Sequence, residues 1–106
     1  MRTAIIMDPI LICGTLNGHI ALYSMKFRQL HLIRFIAHAH QLHVTAISVC
    51  PLNDETQMFA SGGYEGIVNV WEAHEREPVC IIDGGNRGIG SLAWDNGAKF
   101  LYIERD

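Results

Sequence analysis

The sequence predicts an all-β chain of antiparallel sheets, on three observations. The stretch 40–71, HQLHVTAISVCPLNDETQMFASGGYEGIVNVW, alternates short runs rich in Val, Ile and Phe with clusters of Pro, Asn, Asp and Gly, which reverse a chain at low steric cost. Runs of the same kind recur before and after it at offsets of 42 to 48 residues, which marks a repeat. Asn17-Gly18 is a two-residue hairpin signal in its own right, because both residues tolerate positive φ.

Within the central stretch the strands expected are VTAISV at 44–49, QMFAS at 57–61 and IVNVW at 67–71. The turns between them are Pro51-Leu52-Asn53-Asp54 and Gly62-Gly63-Tyr64-Glu65-Gly66. The order His40, Val44, Ser61, Glu65, Trp71 resembles a WD repeat, the unit of β-propellers. The resemblance implies four-stranded blades and a buried hydrogen-bonded set formed by His40, Ser61, Glu65 and Trp71. The chain departs from the family pattern at three places: Ala39 stands before the His in place of Gly, Glu65 replaces an Asp, and Glu72 follows Trp71 in place of Asp.

Earlier in the chain, Thr3-Ala4-Ile5-Ile6-Met7-Asp8-Pro9 lies over Thr45 to Pro51 at an offset of 42. Leu11 to Thr15 and His19 to Tyr23 lie over the second and third central strands at an offset of 48, so extra residues are expected in the loop around Asn53 to Gln57. That alignment sets Cys13 at the place of Ser61, Asn17 at Glu65 and Tyr23 at Trp71, and Leu32 to Ile36 becomes an outermost strand. After Trp71, the run Val79 to Ile82 reads as the next outer strand and Asp83-Gly84-Gly85-Asn86 as a turn. Ile89 to Trp94 follows Val44 to Val49 at an offset of 45, with Gly85 at the His position. Lys99 to Ile103 completes the strands, and Glu104-Arg105-Asp106 is expected near the place of Ser61 and its turn. The implied organisation is a partial propeller: 1–38 a blade lacking its lead-in, 39–83 a complete blade, and 84–106 the first two strands of a third. Propellers close with 4 to 8 blades, so an incomplete ring is expected to belong to a longer chain or to be completed by association.

Composition narrows the function. A net charge of −3, with only 8 Lys and Arg that are scattered, gives no footprint for nucleic acid or an anionic membrane. Cys13, Cys50 and Cys80 are odd in number and widely spaced, which favours free thiols in a reducing compartment, cytoplasm or nucleus. Ala4 to Met7 is too short for a signal-peptide core, and no run approaches the ~18 apolar residues of a membrane span.

Chemistry-bearing residues are few. His38, His40 and His43 suggest a metal cluster, with His31 and His74 elsewhere, and a small His-based metal protein is one alternative. On an extended strand, however, His38 and His40 share a face while His43 points away, short of the three or four ligands of a zinc site; no metal and no cofactor are expected. Ser61, His40 and Glu65 contain the residue types of a hydrolase triad without the G-x-S-x-G elbow, so no catalytic residue is expected. Gly84 to Gly90 is glycine-rich without a following helix to present to a phosphate. The expected function is a non-catalytic protein interaction scaffold in a multiprotein complex. Partners, proteins or peptides, would dock on rim loops at Tyr64, Arg87 and Leu16. The alternative is a structural part of a larger assembly that binds nothing alone.

Overall fold

β-branched runs between reversing residues fold into ten strands in the computed structural model, which describes residues 3–7, 10–26, 28–51, 57–75, 77–97 and 101–106. They are β1 (Thr3–Met7), β2 (Ile10–Gly14), β3 (Ile20–Lys26), β4 (Gln29–Ile36), β5 (Val44–Val49), β6 (Met58–Gly63), β7 (Ile67–Glu72), β8 (Cys80–Asp83), β9 (Ile89–Trp94) and β10 (Leu101–Arg105). Pairing follows chain order in three antiparallel sheets: β1 to β4, β5 to β8, and β9 with β10. The sheets stack in sequence, β1 and β2 against β5, then β5 and β6 against β9. The stack is an open part of a ring, and no helix forms among the described residues.

Each interface is made by strand alternation. Ile10, Ile12, Ile20, Leu22 and Ile36 of the first sheet pack on Val44, Ile47, Phe59 and Trp71 of the second. The opposite face of the second sheet, Ala46, Ala60, Val68 and Val70, packs on Ile89, with Leu92, Trp94, Leu101 and Ile103 beside it. Val44 and Ala46 reach opposite interfaces, although two residues apart, because a bulge interrupts the β5–β6 register between them. Trp94 also ties the third sheet down, its Nε1–H donating to the Ser48 carbonyl at 3.0 Å.

Two glycines set how closely the sheets approach. A Cβ on Gly14 would stand 2.6 Å from Val44 Cγ1, and one on Gly62 would stand 2.5 Å from Ile89 Cγ2. Gly14 and Gly62 therefore occupy equivalent places, each receiving the first branched residue of the next sheet.

The strands depart from the sequence reading in several places. Gly62 and Gly63, expected in a turn, close β6, and the turn is confined to 64–66. β4 begins at Gln29 and runs 8 residues instead of the five expected. With Gly14 matched to Gly62, pairing sets Thr3 opposite Gly14 as Ala46 is opposite Gly62, one residue away from the identity match with Thr45. Thr45 is the bulge residue, which identity cannot see. In the third sheet Ile103 faces Leu92 as Ser61 faces Ile47, so the Ser position holds Ile103, not the Glu104–Asp106 segment. Lys99, Phe100 and most of the expected insertion, 52–56, lie outside the described residues.

Candidate functional site

The structure brings His40, Ser61, Glu65 and Trp71 together. β6 and β7 are paired so that Phe59 faces Trp71 and Ser61 faces Asn69, which points Ser61 and Trp71 into the same interface. Trp71 Nε1–H donates to Ser61 Oγ at 2.8 Å, and Ser61 Oγ lies 2.7 Å from His40 Nε2. On the other side of the ring, Nδ1 is 2.8 Å from Glu65 Oε2. A carboxylate only accepts, so Nδ1 carries the proton and donates; Nε2 then accepts from the Ser61 hydroxyl, whose oxygen accepts from Trp71. Each polar atom in this line has a partner, and the line works with His40 neutral. Burial is the main influence on the imidazole and pushes its pKa below the ordinary histidine range; the hydrogen bond and negative charge of Glu65 act in the opposite direction.

Glu65 reaches His40 because Gly63 has no side chain. A Cβ at Gly63 would collide with the Glu65 carboxylate. The second carboxylate oxygen, Oε1, accepts from Leu42 N–H at 3.3 Å.

The segment leading into β5 is thereby held at several points. His40 N–H donates to Gly18 O at 3.0 Å, linking it to the β2–β3 turn of the first sheet. Asn69 Nδ2 donates to Ala39 O at 2.9 Å. Sequence reasoning missed Asn69; its signal was a lone polar side chain inside the apolar run IVNVW, and it is 5% exposed.

The third sheet anchors its lead-in differently, through another residue that sequence reasoning missed. Gly85 stands at the His position and has no side chain to offer. Arg105, at the end of β10, sends Nη1 to Gly66 O at 2.7 Å and to Arg87 O at 3.3 Å. Cβ atoms at Gly84 and Gly85 would lie within 3.3 and 3.6 Å of that guanidinium, so the two glycines leave it room. In the first sheet, by contrast, the place of Ser61 holds Cys13, whose thiol burial pushes up in pKa, and the place of Trp71 holds half-buried Tyr23.

The rim residues share one end of the stack. Tyr64 sits in the β6–β7 turn, 51% exposed, with its N–H donating to His43 O at 3.0 Å and its ring stacked on His43 at 4.7 Å. A Cβ on Gly88 would lie 2.9 Å from Tyr64 Cδ1, which places Tyr64 beside exposed Arg87. Leu16, 64% exposed, sits in the equivalent β2–β3 turn. There Thr15 O accepts from Val44 N–H at 3.1 Å, and Gly18, at φ 84°, fits against the carbonyls of His40 and Leu42.

The remaining histidines serve elsewhere. His38 N–H donates to His19 Nδ1 at 2.9 Å, with the rings 4.8 Å apart. His31 and His74 are exposed. Among the described residues, no three His, Cys, Asp or Glu side chains are placed to hold a metal ion.

Comparison with known proteins agrees with this geometry. No protein-family model matches the chain. It is 26% identical over 100 residues to the protein transport protein SEC13-2 of Candida glabrata, a match covering 80% of this chain and 33% of the relative. It is 30% identical over 99 residues to the ribosome biogenesis protein YTM1 of Debaryomyces hansenii, over 82% of this chain and 20% of the relative. A chain from the crystal structure of a mitotic checkpoint complex superposes with a TM-score of 0.74 at 21% identity, covering 90% of this chain and 28% of that one. The chain thus spans a third or less of the length of these proteins. From the repeated sheets and these relatives, the chain belongs to the WD-repeat family of β-propeller proteins.

Proposed function

We propose that the chain is a non-catalytic interaction module whose protein or peptide partners dock on the rim at Leu16, Tyr64 and Arg87. The observation that carries this reading is Tyr64, which exposes half its surface while its backbone is bonded to His43 and its ring is braced by His43 and Gly88. An aromatic side chain already held in place loses little entropy on binding, and Arg87 beside it offers a fork for a carboxylate. In this reading His40, Ser61, Glu65 and Trp71 are a structural set that fixes the rim. Ser61 is fully buried with its oxygen engaged on both sides, which favours a structural over a nucleophilic role.

The repeat boundaries belong to the same reading: 1–38, 39–83 and 84–106 as one blade without its lead-in, one complete blade and the start of a third. The relatives are named for protein transport and ribosome biogenesis, and the structural neighbour comes from a complex, which supports a place in a multiprotein assembly. Nucleic acid and membrane are not among the partners proposed, in keeping with the net charge of −3; no helix among the described residues is long and apolar enough to cross a membrane. Free Cys13, Cys50 and Cys80 suit an intracellular location, cytoplasm or nucleus. The open outer sheet faces make self-association the expected behaviour of the isolated chain, and sedimentation at several concentrations checks it.

The test of the rim is affinity capture from cell extract with the chain in its natural protein, unchanged or carrying Tyr64→Ala with Arg87→Glu. Loss of partners with an unchanged melt supports the module. Retention of every partner favours a purely structural blade set.

A further inference from the structure

We infer that the groove between the first and second sheets, where it opens outward along β8, is a second docking site. Its occupant is an extended segment of a partner protein that carries an aliphatic side chain between two basic ones. This does not rest on the rim reading. One wall is the strap from Ile36 to Gln41, and the other is β7 and β8 with Glu77 and Pro78 at the entry to β8. The groove thus lies between two four-stranded sheets and does not depend on what stands beyond either of them. Its volume is about 370 Å³, room for a large side chain and the backbone that carries it.

The opening follows from the register of β8. Pairing sets Ile81 beside Asn69 and Asp83 beside Ile67. Asn69 and Trp71 face the first sheet, so Ile81 and Asp83 turn to the same side. The first sheet covers Trp71 and Ile36, at 2% and 9% exposed, but stops short of Ile81, at 61%. Two bonds join the walls. Arg34 Nη1 donates to the carbonyls of Glu72 at 3.3 Å and Ala73 at 2.9 Å, and Asn69 Nδ2 donates to Ala39 O at 2.9 Å. Walls already held in place lose little order when a ligand enters.

The lining selects the occupant. Ile36, Ile67, Trp71, Pro78 and Ile81 make an apolar floor for an aliphatic side chain. Asn69, 5% exposed, gives its amide N–H to Ala39, while its Oδ1 has no donor among the described residues; the backbone N–H of an extended segment would supply one. The charges at the two ends are acidic. Glu77 lines the groove before β8 and Asp83 ends β8; both are exposed, and neither has a cationic partner among the described residues. No lysine or arginine lines the groove, and Glu65, which borders it, is taken up by His40 and Leu42. In an extended segment, residues two apart share a face, so an aliphatic side chain on the floor puts its basic neighbours toward Glu77 and Asp83.

The test is fluorescence anisotropy with the chain in its natural protein. The probe is a labelled, glycine-spaced peptide with one leucine between two arginines. One control peptide has glutamates in place of the arginines, and the other has alanine in place of the leucine. The expected result is saturable binding of the probe, about tenfold or more tighter than either control and weakened by added salt. Ile81→Thr, which keeps a β-branched side chain at an exposed strand position, should weaken it about fivefold or more without moving the melt. Glu77→Gln with Asp83→Asn should remove both the preference for arginine over glutamate and the salt sensitivity. Tyr64→Ala with Arg87→Glu should leave binding intact, so failure at the rim and failure at the groove are distinguishable. Equal binding of the arginine and glutamate peptides, indifference to leucine, no saturable binding, or binding unmoved by both sets of β8 variants would overturn the proposal. So would binding that fades as protein concentration rises, because a second copy would then be the occupant.

Discussion

The lead-ins to the second and third sheets meet the same requirement with different chemistry. Each must be fixed against the β-turn of the sheet before it, where a glycine carbonyl waits: Gly18 O in one case, Gly66 O in the other. The second sheet uses a buried neutral imidazole, bonded to both Ser61 and Glu65, and leaves the glycine to a backbone N–H. The third has glycine where the imidazole would be and brings Arg105 from its second strand, part-exposed and permanently charged. A buried line of hydrogen bonds tolerates no missing member, whereas a guanidinium near solvent can exchange protein carbonyls for water. The two junctions should therefore respond very differently to mutation and pH.

The largest expected effect is His40→Ala. It strands the Glu65 carboxylate and removes the acceptor of the Ser61 hydroxyl, for a loss of about 1 to 3 kcal/mol in a urea melt. His38→Ala and His43→Ala, at exposed and half-buried rings, should cost about 0.5 kcal/mol or less. Equal small losses at all three would remove the asymmetry between a structural and a solvated histidine.

Acid should act through the same residue. The folded-state pKa of His40 lies below its ordinary value, so between the two the unfolded chain binds more protons than the folded one. Stability is then present above the ordinary histidine pKa of about 6.5 and is lost as pH falls through that value toward the folded one. Melts from neutral to mildly acidic pH should show a slope that His40→Ala flattens, while Arg105→Met leaves it unchanged.

The fit between Gly63 and Glu65 gives a coupled pair. Gly63→Ala should destabilise by about 1 kcal/mol because its Cβ meets the carboxylate, and the shorter side chain of Glu65→Asp should relieve much of that cost in the double variant. A double-mutant cycle measures the coupling, and strict additivity would mean that the two positions do not compete for one space. A more local effect is expected at Arg105→Met, about 0.5 to 1 kcal/mol. It should show chiefly as faster hydrogen exchange at the Asp106 amide, which donates to Gly88 O, with protection in the first two sheets unchanged.

What could be read from the sequence followed the same division. His40, Ser61, Glu65 and Trp71 were legible as a set through the resemblance to a WD repeat, and the β9 run from Ile89 to Trp94 was delimited by its apolar residues and flanking turns. Arg105 and Asn69 were not legible, because their partners are carbonyls of segments distant in the chain and carbonyls carry no residue type. Gly62 and Gly63 read as a turn since glycine usually marks one; here their missing side chains admit Ile89 and the Glu65 carboxylate.

The paired contacts of Gly14 with Val44 and Gly62 with Ile89 have a consequence for curvature. Both pinch the stack near its innermost strands, while bulkier residues such as Ile36 and Trp71 fill the gap farther out. Each sheet is thus a wedge, narrow toward the axis and wide at the circumference, and the glycine sets the angle of the wedge. The number of such wedges that complete a circle is fixed by that angle, so a single methyl group at either glycine acts on the arc of the whole ring.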